Sequence, residues 1–304
     1  MKVDHTQKVD ILIEALPYIS RFKDIIVVVK YGGNAMINDE LKKSVMQDVL
    51  MMKSVGIKPI IVHGGGPFIT EMMDKLSMES QFEQGLRVTD KETMKVVEMV
   101  LAGQVNKDIV DQFNQIGGQA VGLSGKDGRL IKAKKKYLKQ TTDDGEVELV
   151  DIGYVGEVEA INTDVIEMLV KNDFVPVISS VGVDEKGDTY NINADYVAGE
   201  IAAAVNADKF ILLTDTVGVL EDGSDDETLI SELTINETKD LIQSGVIQGG
   251  MVPKVECCIF ALENGVPQAH IVDGRLSHSL LLELFFDAGI GTMFIPKKGA
   301  DTDE

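Results

Sequence analysis

The chain has 304 residues, with 50 Asp and Glu against 29 Lys and Arg, and a formal net charge of −21. This length gives one large domain or two lobes with a sizeable core. The negative charge repels nucleic-acid phosphates and anionic lipid head groups, so it disfavours nucleic-acid and membrane-surface binding. Cys257 and Cys258 are adjacent, which offers neither a disulfide framework nor a metal-ligand spacing.

The N-terminal residues lack the basic and then apolar pattern of a secretion signal, because Asp4, Asp10 and Glu14 interrupt it. No apolar run approaches the roughly 20 residues that a membrane-spanning helix needs. We therefore expect a cytoplasmic protein with reduced cysteines and no membrane segment.

Short β-branched runs, each ending at a turn former, predict strands at residues 25–30, 59–63, 119–123, 175–181, 210–214 and 270–272. Stretches with helical spacing lie between them, at residues 40–55, 68–76, 92–116, 163–172, 194–206 and 253–264. The alternation of the two patterns predicts an α/β sandwich, and the continuous apolar strands suit a mainly parallel sheet covered on both faces. In such sheets ligands bind beyond the carboxyl ends of the strands.

The middle of the chain differs, because residues 130–159 show alternating patterns that predict antiparallel hairpins inserted in the sandwich. The basic cluster at 132–139 lies here, and we interpret it as a solvated hairpin face rather than a nucleic-acid patch. We divide the chain into an N-terminal helix (1–22), an N-terminal lobe (23–187) and a C-terminal lobe (188–304).

The first motif, at residues 27–34, is a strand that delivers Lys30 and is followed by Gly32 and Gly33. Glycine lets exposed backbone N–H groups approach a ligand closely, and the lysine adds a compact positive charge, so together they suit phosphate. The alternative is a strand-ending turn with a solvated lysine.

The second motif is His63-Gly64-Gly65-Gly66-Pro67, in which Pro67 fits the first position of a helix. Glycine amides before a helix N-terminus form an anion site for a carboxylate or a phosphate. The same His-Gly-Gly-Gly sequence occurs in the oxyanion hole of lipases and esterases. That class also needs a Gly-x-Ser-x-Gly turn, which this sequence lacks, so a hydrolase is disfavoured.

Two further motifs offer groups for a small polar substrate. Arg87, within Gly-Leu-Arg-Val-Thr-Asp, can hold a carboxylate through two parallel hydrogen bonds, although a surface ion pair is equally compatible with the sequence. Asn191, Asn193 and Asp195 open an alanine-rich helix, where capping is the natural interpretation. A single helix cap does not need all three side chains, so the side chain of Asn191 can face a ligand.

The last two motifs predict an edge for a nucleotide. A buried strand ends at Thr214 and Asp215 and runs into a glycine turn at Gly218. Farther along, Gly249 and Gly250 precede Lys254 in the first turn of a helix, where a positive charge is mildly unfavourable unless an anion is bound. The sequence has no Walker A loop and no kinase-type Gly-x-Gly-x-x-Gly before a helix, so a nucleotide must be held in another way.

Taken in order, VKYGGNAM, VHGGGP, GLRVTD, NINAD, LLTDTVGVL and GGMVPK resemble the amino-acid kinase family, and the match runs from residue 30 to 292. GLRVTD with NINAD resembles the branch that phosphorylates N-acetyl-L-glutamate. The resemblance implies a three-layer αβα sandwich with a mainly parallel sheet of about eight strands. It also implies transfer of the ATP γ-phosphoryl group to the side-chain carboxylate, which gives an acyl phosphate on the route to arginine.

The resemblance also assigns residues to roles. Lys30 and Lys254 bracket the phosphoryl group, and Asp195 holds the two lysines in register. The substrate residues are Gly64, Gly65, Arg87 and Asn191. The nucleotide residues are Lys30, Gly32, Gly33, Thr214, Asp215, Gly218, Val219, Leu220, Met251 and Lys254. Mg²⁺ is expected on the phosphates and water, with no direct protein ligand.

Two segments resemble the arginine-inhibited branch of the family. The leader at residues 9–22 has the spacing of an amphipathic helix, which either joins dimers into hexamers or packs on its own sheet. Residues 270–291 are similar to the inhibitory arginine site. The resemblance places Glu283 on the arginine guanidinium and five other residues around the ligand, namely Tyr18, Lys209, His270, Gly289 and Gly291. It leaves open whether a PII-type signal protein binds.

The sequence leaves three rival interpretations, each of them disfavoured by particular residues. Another amino-acid kinase would act on carbamate, glutamate, aspartate or UMP, but Arg87 with Asn191 favours a compact substrate with a free α-carboxylate. A non-catalytic amino-acid sensor with this fold would have no use for the paired lysines. A dinucleotide oxidoreductase is disfavoured because the glycine turns lack its spacing.

Overall fold

The computed structural model describes residues 22–141, 146–286 and 289–297, together with Val9, Ile13, Leu16 and Pro17, which are helical. Nine α-helices lie in the three described ranges: α1 Asp39–Ser54, α2 Gly66–Lys75, α3 Lys91–Glu98, α4 Asn106–Gln115, α5 Asp164–Lys171, α6 Ala194–Ala204, α7 Ile235–Gln243, α8 Val252–Glu263 and α9 Ser279–Phe285. A π-helical segment, Met99–Val105, joins α3 to α4.

Fourteen strands lie in the same ranges: β1 Ile26–Tyr31, β2 Lys58–His63, β3 Phe82–Glu83, β4 Leu86–Arg87, β5 Ala120–Leu123, β6 Ile131–Thr141, β7 Val147–Ile161, β8 Val175–Ser179, β9 Val181–Val183, β10 Thr189–Asn191, β11 Lys209–Thr214, β12 Glu232–Thr234, β13 Gln268–Asp273 and β14 Thr292–Ile295.

Eight of these strands form the central sheet, in the spatial order β12–β14–β13–β11–β1–β2–β8–β5. The six strands from β13 to β5 run parallel, with Val28 of β1 opposite Phe210 on one side and Ile60 on the other. β14 is antiparallel to β13, and β12 follows β14. The predicted mainly parallel sheet of about eight strands is confirmed.

Helices cover both faces of this sheet. Val28 packs in an apolar cluster with residues of α6 and α8, whereas Val27 and Val29 point to the opposite face and pack with residues of α1 and α4. All three valines are fully buried. Strands without a polar face require cover on both sides, so the three-layer sandwich follows from the sequence of β1 itself.

A small closed barrel lies beside the sheet. β6 and β7 form a long antiparallel hairpin, and β9 and β10 close the barrel with them. The predicted hairpin at residues 130–159 is confirmed. Lys132, Lys134 and Lys135 on this hairpin are at least partly exposed and form ion pairs with neighbouring carboxylates, so the basic cluster is a solvated face.

The helices begin where side chains satisfy their free N–H groups. Asn38 accepts hydrogen bonds from the backbone N–H groups of Glu40 and Leu41 at the start of α1. Thr234 and Glu237 form a reciprocal capping box at the start of α7. Asn193 caps α6 by accepting from the backbone N–H of Asp195, 2.8 Å away. These caps fix the positions of the helix starts relative to the sheet.

The sheet takes strands from both predicted lobes, since β1, β2, β5 and β8 lie within 23–187 and β11–β14 lie within 188–304. The lobe boundaries stay a prediction. Among the described residues no helix is both long and apolar enough to cross a membrane. The carboxyl ends of β1, β2, β8 and β11 meet at one edge of the sheet, where the motifs predict the site.

Candidate active site

Two lysines and one aspartate meet at the carboxyl edge of the sheet. The Nζ of Lys30 lies 3.0 Å from Oδ1 of Asp195, and the Nζ of Lys254 lies 3.1 Å from Oδ2. Lys30 is the penultimate residue of β1, Asp195 lies in the first turn of α6, and Lys254 lies in the first turn of α8. One carboxylate therefore holds both ammonium groups, as the motif interpretation requires.

The charge balance of this group keeps Asp195 ionised. Burial opposes ionisation of Asp195, but the ammonium groups of Lys30 and Lys254 outweigh it and hold the pKa of Asp195 below its usual range. Two positive charges against one negative charge leave a net positive site for an anion. A β-carbon at Gly32 would lie 2.3 Å from the Nζ of Lys30, so a side chain at this position would displace the ammonium group from its present place.

The first cavity has a volume of about 260 Å³ and is lined by Lys30 and Asp195. Its walls include all four residues that the sequence assigned to the substrate, together with Asp195, Lys30 and both glycines of the first motif; they are Lys30, Gly32, Gly33, Gly64, Gly65, Arg87, Asn191 and Asp195. The ion pair of Lys30 with Asp195 and the side chain of Arg87 therefore belong to one cavity.

Arg87 is 6% exposed, and its contacts are all with neutral groups among the described residues. It donates to Oγ1 of Thr70 at 2.6 Å and to Oγ of Ser80 at 2.8 Å, and its guanidinium lies 4.6 Å from the ring centre of Phe82. Burial lowers the pKa of Arg87, an effect that Asp74 partly opposes. A buried cation oriented by neutral partners suits a ligand carboxylate.

Gly65 lies where the chain leaves β2 for α2, facing the π-helical segment. A β-carbon at Gly65 would lie 2.7 Å from Cδ2 of Leu101 and 3.4 Å from Cγ2 of Val105. The wider π turn brings this segment against the glycine backbone. On the opposite wall, Asn191 donates a long hydrogen bond of 3.4 Å to Thr89.

A second cavity, of about 380 Å³, is lined by both lysines. Its walls are Lys30, Gly33, Leu213, Thr214, Asp215, Thr216, Gly250, Met251 and Lys254. Lys30 and Gly33 line both cavities, so the two cavities are neighbours at these residues. Gly33 has φ +66°, and Oδ1 of Asp215 accepts a 2.7 Å hydrogen bond from the backbone N–H of Asn34, which ties the glycine turn to β11.

A model of the amino acid kinase family matches residues 26–273 of this chain. The chain belongs to the amino acid kinase family. It is 54% identical over 296 residues to an acetylglutamate kinase from Moorella thermoacetica, a span of 97% of this chain and 100% of that relative. It is 56% identical over 291 residues to an acetylglutamate kinase from Syntrophus aciditrophicus, a span of 95% and 97%.

Among solved structures, that of smu.665 from Streptococcus mutans UA159 is similar to this chain, with a TM-score of 0.71 and 31% identity. The match covers 90% of this chain and 99% of that one. The fold and the family that the motifs implied are therefore confirmed.

Three nucleotide residues of the family motif lie away from the second cavity. Gly218, Val219 and Leu220 do not line it; Val219 is buried, and its backbone N–H donates to Oγ1 of Thr292 at 2.8 Å. Gly32 lines the substrate cavity instead. The roles of the assigned site residues, these four included, stay a prediction.

The residues assigned to inhibitory arginine form a separate cluster around Glu283. Oε1 of Glu283 lies 2.7 Å from Nδ1 of His270, and Oε2 accepts from the backbone N–H groups of Ile290 and Gly291 at 2.7 and 3.0 Å. Burial opposes ionisation of Glu283, but His270 and these amides lower its pKa overall. Lys209 bonds to Gln268 beside this cluster. Tyr18 lies outside the described residues.

The sequence did not identify several residues that line the two cavities. Ser180, Phe82 and Leu101 line the substrate cavity, and Thr216 lines the second cavity. Ser180 directly follows β8, so the rule that ligands bind beyond strand ends could have found it. Phe82 and Leu101 come from a short hairpin and from a helix, and their apolar character alone gives no signal for a binding site.

Proposed function

We propose that this protein transfers the γ-phosphoryl group of ATP to the side-chain carboxylate of N-acetyl-L-glutamate. The arrangement of Lys30, Asp195 and Lys254 between two cavities supports this proposal most directly. One cavity takes the acetylglutamate, the other takes ATP, and the transferred group crosses at the lysines. The names of the relatives from Moorella and Syntrophus agree with this substrate.

The reaction needs positioning and charge neutralisation rather than proton transfer. A carboxylate is already ionised at neutral pH, so its oxygen attacks the γ-phosphorus without a general base. The bond from the γ-phosphorus to the oxygen bridging it to the β-phosphate breaks, and ADP leaves with that electron pair. Lys30 and Lys254 neutralise the charge on the oxygens of the moving group, and Asp195 keeps the two ammonium groups apart.

Acetylglutamate offers two carboxylates, and the first cavity offers two positive ends to receive them. Arg87 binds the α-carboxylate through its guanidinium, and the side-chain carboxylate then reaches toward Lys30 and the turn at Gly64 and Gly65. Asn191 hydrogen-bonds the substrate backbone. Free glutamate would bring an additional ammonium group into a site that is already positively charged, which favours the acetylated substrate.

Trapping of the acyl phosphate with hydroxylamine tests the substrate. Purified protein with ATP and N-acetylglutamate is expected to yield the hydroxamate, and omission of either substrate is expected to abolish it. Hydroxamate formed faster with free glutamate or aspartate than with acetylglutamate would reject the substrate assignment.

Mg²⁺ belongs with the ATP in this proposal. The groups that line the second cavity include two lysines, glycine amides and a single carboxylate, that of Asp215. Ammonium and amide groups bind phosphate oxygens but not Mg²⁺, so the ion is held chiefly by the phosphates and by water. The ion would supply further neutralisation of phosphate charge, and this chain would supply the orientation.

We also propose feedback inhibition by arginine and assembly of dimers into hexamers through the leader helix. The clustering of His270, Gly289 and Gly291 around the buried carboxylate of Glu283 supports an arginine site. Val9, Ile13 and Leu16 are spaced by four and three positions, so they share one face of the helix. Each is more than half exposed, and such an apolar face suits contact with a second subunit. Deletion of residues 1–19 should abolish inhibition and leave dimers; hexamers that persist by light scattering would contradict the assembly.

A further inference from the structure

His63 ends β2 and is fully buried, away from bulk water and outside the walls of both cavities. Its Nδ1 lies 2.8 Å from the carbonyl oxygen of Gly64, the first glycine of the turn that lines the substrate cavity. Since a carbonyl oxygen only accepts hydrogen bonds, Nδ1 must carry the ring proton. The ring therefore donates to the backbone of the glycine turn.

The second ring nitrogen is fixed by a different element. Nε2 of His63 lies 3.0 Å from the side-chain nitrogen of Asn106, which also donates to the carbonyl oxygen of Val177, 2.9 Å away. Asn106 is fully buried at the start of α4, directly after the π-helical segment. Because the amide nitrogen of Asn106 only donates, Nε2 accepts and the ring is held as the neutral Nδ1–H tautomer.

This hydrogen bond has a geometric consequence for the neighbouring amide. All peptide bonds among the described residues are trans, so the carbonyl of Gly64 and the N–H of Gly65 point in opposite directions. The N–H of Gly64 already donates to the carbonyl of Tyr31, at 3.3 Å. With its carbonyl held by the buried ring, the Gly64–Gly65 peptide turns the N–H of Gly65 away from the core and toward the cavity.

We propose that His63, held by Asn106, is a positioning residue that orients the Gly65 N–H toward the reacting groups in the substrate cavity. This role rests on the proposed function, in which the glycine turn meets the attacking carboxylate and the transferred phosphoryl group. His63 touches neither substrate. It acts only through the Gly64–Gly65 peptide, against which Leu101 packs from the π-helical segment.

Two substitutions of nearly equal size separate this role from simple packing. In His63→Asn the side-chain nitrogen can occupy the place of Nδ1 and still donate to the carbonyl of Gly64. In His63→Gln the polar end reaches the place of Nε2, so it satisfies Asn106 but offers no donor at the position of Nδ1. Loss of packing or of buried hydrogen bonds would affect both variants. Loss of the orientation of the Gly64–Gly65 peptide would affect only His63→Gln.

The experiment measures kcat and both KM values for the wild type and the two variants, alongside thermal unfolding. The kcat of His63→Gln should fall about tenfold to a hundredfold below that of His63→Asn, because small misplacements of an oriented group cost that much. The KM for ATP should be the same in both. Equal kcat values in the two variants, with an active wild type, would overturn the role and leave the proposed function standing.

A wild type that makes no acyl phosphate from acetylglutamate would overturn the proposed function and this role with it. The imidazole ¹⁵N spectrum of histidine-labelled wild type tests the geometry independently of the variants' stability. The resonances of His63 are those that the wild-type spectrum contains and the spectrum of His63→Asn lacks. They should show the neutral Nδ1–H tautomer at about pH 7. An Nε2–H tautomer or an imidazolium there would contradict the proposed hydrogen bond to Gly64.

Discussion

Oδ2 of Asp195 lies 3.1 Å from the Nζ of Lys254, although the two residues are 59 positions apart in the chain. Each lies in the first turn of its helix, and α6 and α8 pack against each other. The contact therefore depends on how the two helices pack, and that packing depends on the small residues of α6. It places one positive charge at the nucleotide cavity in a fixed relation to Lys30 at the substrate cavity.

The position of Lys254 predicts a loss of turnover rather than of substrate binding. Lys254→Ala should lower kcat about a hundredfold to a thousandfold, because it removes a charge that stabilises the transition state. The KM for acetylglutamate should change little. The matched control is Lys239→Ala, which removes a half-exposed lysine paired with Glu263 on the surface. A rise in the KM for acetylglutamate as large as the fall expected for kcat, with kcat itself unchanged, would contradict the role of Lys254.

Arg87 should affect acetylglutamate specifically. Arg87→Lys keeps the charge but loses the two parallel hydrogen bonds of the guanidinium, so the KM for acetylglutamate should rise about tenfold to a hundredfold. The KM for ATP should stay the same, since Arg87 does not line the second cavity. Arg129→Lys, at an exposed turn, is the control. Steady-state kinetics with each substrate varied in turn distinguishes this result from a general loss of activity.

The turn at Gly33 should not tolerate a side chain. A β-carbon there would lie 2.5 Å from Oδ1 of Asp215, and the residue has φ +66°. Gly33→Ala should raise the KM for ATP and lower the unfolding temperature. Gly187→Ala is the control for backbone strain alone, because Gly187 has φ +91° and open space around it. If the two variants gave the same KM for ATP, contact with Asp215 would not matter for the nucleotide.

His63 should make the folded state sensitive to acid. Burial lowers the pKa of His63 from 6.5 to about 4, so below about pH 6.5 the unfolded chain binds a proton that the folded chain excludes. The contribution of His63 to the free energy of unfolding is therefore fully present above about pH 6.5. It falls as the pH drops toward 4, by about 3 kcal/mol in total. Denaturant unfolding at several pH values should show a shallower decline for His63→Gln than for the wild type.

Much of the scaffold could be predicted because the decisive signals are local. β1 contains a run of buried valines followed by Lys30 and Tyr31, with glycines directly after the strand, and such a run has few alternatives to a covered parallel strand. Lys30, Asp195 and Lys254 were each identified at the end of a strand or the start of a helix. Their convergence was implied by the resemblance to the amino-acid kinase family, and it agrees with the rule that the carboxyl ends of parallel strands share one edge.

Other parts of the site depend on tertiary packing that the sequence does not display. The helix predicted over residues 92–116 contains the π-helical segment Met99–Val105, and no residue type there signals the wider turn. The partners of Glu283 come from β13 and from a loop after α9, so its bond to His270 appears only once the fold is known. The orientation of the Gly64 carbonyl likewise depends on Asn106, which lies 43 positions from His63.

The central claim is that Lys30 and Lys254 act on one phosphoryl group in transit. A crystal structure with acetylglutamate, Mg²⁺, ADP and aluminium fluoride, which mimics the group in transit, measures this directly. We predict that both Nζ atoms lie within about 3 Å of the fluoride ligands, the distance of a charge-assisted hydrogen bond. A complex in which either ammonium group points into a different cavity, away from the fluoride, would contradict the mechanism.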